Sequence, residues 1–199
     1  MKHYLQLAKT FFLEHKKQFT LAAYIFGAVV VVIFVIIMIV TNLSKPIKIT
    51  YQPSVACTLF TVEEAKELLG EQAVLGSTGE STLSGNLSTS SCGYTDGNPG
   101  EDSMVVAAVI IRSGINDAGV AQNKYEFENG KPTTDVETIA NVGDNAYFNK
   151  ALGQFNVLSG RNWYIFSYGV GSTPEVNTLE DAKKLAGKVL ELAVETPNF

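Results

Sequence analysis

The chain has 199 residues, an acidic sequence pI of about 5.1 and a formal net charge of −5, distributed unevenly. Residues 1–48 hold six lysines and one acid, a net of +5, whereas residues 49–199 hold nine basic and nineteen acidic side chains, a net of −10. The acidic part argues against nucleic-acid binding, which needs clustered Lys and Arg against phosphate, so no nucleic-acid partner is expected. Because both histidines, His3 and His15, lie in the basic part, a Ser-His-Asp triad, a Cys-His pair and a histidine metal site are excluded from the acidic part as well.

In residues 1–20, apolar side chains at Tyr4, Leu5, Ala8, Phe11, Phe12 and Phe19 fall near one helical face, with Lys2, Lys9 and Lys16 off it. This predicts a cytoplasmic amphipathic helix at the membrane interface, serving anchorage or docking to an inner-leaflet partner. From Leu21 to Val40 the chain carries no charge. At about 1.5 Å of rise per residue this run reaches roughly 30 Å, the thickness of a hydrocarbon core, so residues 21–41 are expected to be a single transmembrane helix in the bilayer.

The lysines before the span place the N-terminus in the cytoplasm and the remainder outside. A cleaved signal peptide would have a shorter apolar region and a small-residue exit, and residues 38–43, MIVTNL, supply no such exit. Ser54-Val55-Ala56-Cys57 faintly resembles a lipobox but lies well beyond the apolar run, so an uncleaved signal anchor is the expectation. Ala23 and Gly27 make one small-xxx-small spacing that permits close helix approach. Residues 42–56, with Pro46 and Pro53, read as a short extended tether.

Residues 57–199 have the size of one extracytoplasmic domain with a single core. Cys57 and Cys92 are the only cysteines of the chain, and in an oxidising compartment they are expected to form a structural disulfide. The bond would close a loop of roughly 36 residues and stabilise by about 4 kcal/mol if unstrained.

Thr61 to Glu64 read as a capping box, Gly70 as a stop, and Val62, Ala65, Leu68 and Leu69 as the buried side of a first helix. Residues 71–91 are rich in Gly, Ser and Thr and read mostly as an exposed loop, with 73–75 the firm strand candidate. Strands are expected at 91–95 and at 104–112, the latter central and buried on both faces. Asn116 or Asp117 should cap a helix with an apolar stripe through Val120, Tyr125 and Phe127, weakened by Gly119. Four short strands follow at 136–140, 145–149, 153–158 and 163–170, the last two forming a hairpin around Ser159-Gly160-Arg161-Asn162. Thr178 caps a final helix whose Leu179, Ala182, Leu185, Ala186, Val189 and Ala193 make one stripe. The pattern predicts an α+β fold, an antiparallel β-sheet covered by helices.

Carboxylate pairs at Glu63 with Glu64 and Glu101 with Asp102, together with Asp96 and Asp144, provide oxygen ligands and acids. Glu63 and Glu64 are accounted for by capping, and spacing selects no catalytic pair. Residues 96–102 fail the EF-hand spacing and read as a turn. No phosphate-loop pattern occurs. No catalytic residues, metal ligands or cofactors are therefore expected. The strand Trp163-Tyr164-Ile165-Phe166-Ser167-Tyr168 places Trp163 on one face and Tyr164, Phe166 and Tyr168 on the other. These four aromatics are the candidate ligand-binding residues, with packing under a covered sheet as the competing reading.

Residues 56–194 resemble the cell-envelope lipoprotein domains of unknown function found in actinobacteria, including LpqN-like proteins with a PsbP-like α/β sandwich. The resemblance is carried by Ala56-Cys57-Thr58-Leu59-Phe60-Thr61 leading into Glu63-Glu64-Ala65 and Leu68-Leu69-Gly70, by Cys92-Gly93-Tyr94, by Val142 to Tyr147, and by the closing Ala182, Leu185-Ala186 and Val189-Leu190. It implies a fold, an envelope compartment and binding or assembly roles; this chain differs in carrying a predicted membrane helix in place of a lipid anchor. The expectation is a noncatalytic binding module tethered outside the membrane that recognises an envelope protein or ligand. The alternative is an accessory or structural subunit of a pilus, secretion or transport assembly.

Overall fold

The computed structural model describes residues 29–37, 48–98, 100, 103–170 and 177–195. Residues 29–37, inside the predicted span, are helical with exposed side chains. The rest of that span and residues 1–20 lie outside the described residues. Among the described residues no helix is long and apolar enough to cross a membrane.

The chain divides into two units, residues 1–46 and Ile47 to Phe199. The second begins earlier than the expected domain start at Cys57, because residues 48–54 are bonded onto the fold. It contains α1 (Ala56–Leu59), α2 (Val62–Leu69), β1 (Val74–Ser84), β2 (Leu87–Thr95), β3 (Val105–Gly114), α3 (Asp117–Asn129), β4 (Val136–Ile139), β5 (Asn145–Asn149), β6 (Gln154–Ser159), β7 (Asn162–Val170) and α4 (Leu179–Glu195). The strands form one seven-stranded antiparallel sheet in the order β1-β2-β3-β7-β6-β5-β4. Two meanders therefore meet at β3 and β7, and α3 carries the chain from the middle of the sheet to its far edge. The expected α+β class holds.

Register explains the core. Cys92, Val109, Phe166, Phe155 and Phe148 are successive cross-strand partners, a row on one face. All five are buried, under α1, α2 and α4. The stripe of α4 docks here through Ala182, Leu185, Ala186 and Val189. Thr178 caps α4 by accepting from the Asp181 amide at 3.1 Å, and this satisfies one of the free N–H groups of the first turn. At α2, the Glu64 carboxylate accepts from the Thr61 amide at 3.1 Å, and Gly70 ends the helix at φ +97°. Ala65 is buried while Leu68 and Leu69 pack at the core margin. Val62, the first residue of α2, is exposed, contrary to its place in the predicted stripe. Cys57 and Cys92 form the expected disulfide and tie α1 to β2.

Three further expectations need correction. Residues 71–91 are largely β1 and the start of β2, not a loop. β1 is an edge strand whose residues are nearly all exposed, so pairing with β2 holds it without any need for apolar alternation. Gly85, at φ +59°, opens the two-residue turn between Ser84 and Leu87. Secondly, β3 is buried on one face only: Ile110 is 37% exposed on the other. The cause is that the second face receives α3 alone, over the end of the sheet.

Thirdly, the buried stripe of α3 is Gly119, Asn123 and Phe127, while Tyr125 is 68% exposed. The Asn116 side chain caps this helix by accepting from the Gly119 amide at 3.0 Å. A Cβ at Gly119 would stand 2.0 Å from the Asn86 carbonyl oxygen. The glycine that weakens the helix by propensity is the residue that lets the helix reach the β1–β2 turn. Below it, Asn123 donates to the carbonyls of Arg112 and Arg161 at 2.9 and 3.0 Å, and Phe127 packs with Tyr147, Leu158 and Trp163.

Candidate functional site

Where β3 ends and β7 begins, residues 48–54 cross the end of the sheet as a strap. Pro53 biases Gln52 toward extended geometry, and a set of hydrogen bonds holds the segment down. The amides of Thr50 and Tyr51 donate to the Ile115 carbonyl at 2.7 and 2.9 Å, and Asn116 Nδ2 donates to the Lys48 carbonyl at 3.0 Å. Ser54 is bonded on three sides: its amide to Ser113 Oγ at 3.0 Å, its carbonyl from Ser90 Oγ at 3.2 Å, and its hydroxyl from Asn162 Nδ2 at 3.0 Å. The tether expected at residues 42–56 is therefore, over its last part, a wall of the folded domain.

This strap borders an open cleft of about 610 Å³, lined by Tyr51, Asp117, Val120, Gly143, the β6–β7 turn Ser159 to Asn162, Tyr164 and Leu190. The turn projects Arg161 because Gly160, at φ +56°, takes the left-handed position of a two-residue hairpin. Arg161 lies with its guanidinium carbon 5.4 Å from the centre of the Tyr51 ring, a cation–π arrangement, and its Nη2 donates to the Gln52 carbonyl at 3.1 Å. The Tyr51 hydroxyl donates to Asp117 Oδ1 in the first turn of α3. That bond and the Asp117 charge hold the Tyr51 phenol above its ordinary value of 10.0. Asp144 accepts from the Gly160 amide at 2.7 Å.

At the base of the cleft Asn162 Nδ2 also donates to the Tyr164 hydroxyl at 2.9 Å. Burial pushes the Tyr164 phenol up, keeping it a neutral hydrogen-bonding group. Arg161 Nε and Asn162 Oδ1 are buried and have no hydrogen-bond partner among the described residues. The Asp117 carboxylate of the lining and the Asp144 carboxylate beside the turn are thus engaged in bonds that position the walls, and the guanidinium is oriented by a ring and a carbonyl. Such an arrangement can hold a ligand by charge and shape.

The four sequence-selected aromatics divide between the two faces. Tyr164 and Phe166 are buried in the core under α4, and Tyr164 alone of the four lines the cleft. The Tyr168 hydroxyl donates to the Leu68 carbonyl at 2.8 Å, bridging β7 to α2. Trp163 lies on the opposite face, with Nε1 donating to Asn156 Oδ1 at 3.0 Å and Arg112 above its ring at 5.0 Å. They do not form one surface, because strand alternation sends them to both sides.

Sequence reasoning missed Tyr51, Asp117, Arg161 and Asn162. Its one available signal was Arg161, one of only two arginines in the chain, set in a turn. Among the described residues no group of three His, Cys, Asp or Glu side chains is placed to hold a metal ion; residues 101 and 102 lie outside the described set. Compared with known proteins, the chain matches no family model, no curated protein and no solved structure.

Proposed function

We propose that this protein is a noncatalytic binding module, held by its N-terminal span on the outer face of a cell membrane, whose cleft recognises an envelope protein or ligand. The observation that carries the reading is the strap-walled cleft: its lining acid Asp117 accepts from Tyr51, Asp144 holds the Gly160 amide of the turn, and Arg161 is oriented by the Gln52 carbonyl and the Tyr51 ring. These groups shape a recessed surface without pairing a nucleophile to a base. The uncharged run Leu21 to Val40 and the charge division around it support the location. The resemblance to LpqN-like envelope domains and their PsbP-like sandwich supports the role, and the antiparallel sheet with helices on it is compatible with that fold.

A photo-crosslinking amino acid at Ser159, in the cleft, and at Glu80, on exposed β1, tests the reading in intact membranes. A discrete set of adducts from Ser159 that is absent from Glu80 is the expected result. Equal sets, or none from Ser159, would overturn it. Replacing residues 1–41 by an unrelated anchor separates the alternative, an accessory subunit of a membrane assembly: the binding module keeps its Ser159 adducts, whereas the accessory subunit loses them.

A further inference from the structure

The two arginines of the chain are held in opposite ways. Arg112 donates to Glu126 at 2.6 Å, so its charge is neutralised inside the protein. Arg161 forms no ion pair among the described residues. Its plane is nonetheless set by the Tyr51 ring and the Gln52 carbonyl, and its buried Nε has no acceptor among the described residues. Next to it Asn162 is 6% exposed, with Oδ1 lacking a donor while Nδ2 is shared by Ser54 and Tyr164. A guanidinium whose orientation is fixed and whose charge is unpaired is preorganised for an external anion, because little side-chain entropy remains to be lost on binding. Among the described residues Arg161 is the one cationic side chain that lines the cleft.

We propose that the cleft binds a monocarboxylate with a compact apolar body, the carboxylate pairing with Arg161 and the body lying against Val120 and Leu190. The assignment rests on the binding-module reading and names its ligand class. Charge selects the single negative charge. Asp117 lines the cleft and Asp144 is bonded to the turn that carries Arg161. Against one guanidinium and the lining carboxylate of Asp117, a dianionic phosphate leaves more uncompensated negative charge in the cleft than a monoanion does. Size selects the compact body, since about 610 Å³ of open cleft accommodates a small molecule. Val120 and Leu190 come from helices on opposite faces of the sheet and give the body its apolar walls.

The test uses the full chain in nanodiscs of a neutral lipid with arginine labelled by nitrogen-15, where two Nε–H signals report separately on Arg112 and Arg161. The probes are 3-phenylpropionate, its neutral amide and phenyl phosphate. 3-Phenylpropionate should shift the Arg161 signal saturably and leave that of Arg112 in place, and the amide and the phosphate should bind about tenfold more weakly or worse. Arg161→Gln should abolish the saturable binding. Ser159→Asp, which leaves the Arg161 bonds intact, should weaken it about tenfold through repulsion and serves as the test if Arg161→Gln fails to fold.

Equal binding of acid and amide, unchanged binding in Ser159→Asp, or no shift of Arg161 by any probe would each overturn the carboxylate assignment. The two readings fail separately. Binding of acid and amide alike removes the carboxylate and leaves the cleft a binding site, whereas carboxylate binding without Ser159 adducts in membranes keeps the ligand class and removes the envelope role.

Discussion

The two faces of the sheet are built from the same strands, yet they are covered very differently. On one, the row Cys92, Val109, Phe166, Phe155 and Phe148 lies under three helices and is fully dry. On the other, α3 alone packs Phe127 against Tyr147, Leu158 and Trp163, and Ile110 stays in contact with water. Both faces look apolar along β3, so hydrophobicity does not decide which is interior. What decides is where the helices can dock, and that depends on small residues such as Gly119 and on caps such as Asn116 and Thr178.

The largest expected effect lies on the covered face. Phe166→Ala should destabilise by about 3–5 kcal/mol, since it deletes a fully buried ring that its neighbours cannot collapse around. Denaturant unfolding followed by near-UV circular dichroism measures it, and a loss close to that of an exposed residue would break the contrast.

Gly119→Ala tests how the sparse face is assembled. Helix propensity alone makes alanine better by about 1 kcal/mol. The close approach to the Asn86 carbonyl oxygen predicts the opposite sign, a loss of about 1–3 kcal/mol from overpacking. A raised melting temperature would show that α3 does not need that contact.

A smaller effect comes from the polar clamp on the same face. Hydrogen bonds from Gln122 and then Arg112 hold the Glu126 carboxyl below its ordinary value of 4.5. Folding therefore favours the ionised form: the contribution is complete above the ordinary carboxylate range and fades as pH falls through the lowered value. Because Glu126 is 40% exposed, its pair with Arg112 is worth no more than about 1 kcal/mol. Comparing wild type with Glu126→Gln at neutral pH and below pH ~4 checks the sign, since the difference should shrink in acid.

The smallest effect is expected at Ile110→Thr, within about 0.5 kcal/mol, because the β-branched replacement keeps strand preference and the side chain already meets water. A loss of several times that size would mean that this part of the second face is covered in the working protein.

Legibility in the sequence followed the kind of signal available. β5 has the limits that the sequence predicts, and α4 has its predicted cap and, through Ala182, Leu185, Ala186 and Val189, its predicted buried stripe, because periodicity and a capping hydroxyl are local. β1 was not legible: its Ser, Thr and Gly carry no alternation when both sides of an edge strand face solvent. The α3 stripe was misplaced because a buried Asn123 and a buried Gly119 occupy positions that a hydrophobic pattern assigns to Tyr125. Of the cleft, the aromatic run points to Tyr164, whereas the sequence pattern makes Tyr51 part of a tether and Arg161 part of a turn.

By itself, the sequence determined the α+β class, the pairing of Cys57 with Cys92, the capped final helix and the confinement of both histidines to the basic segment. These depend on short-range patterns or on composition, which need no knowledge of distant neighbours. It takes the folded arrangement to make residues 48–54 a strap, to put α3 over one end of the second face, and to set Arg161 over Tyr51 with no ion pair among the described residues. Those facts join residues as far apart in sequence as Gln52 and Arg161, and whether a charge is paired or a face is covered is fixed by which side chains arrive at the same place.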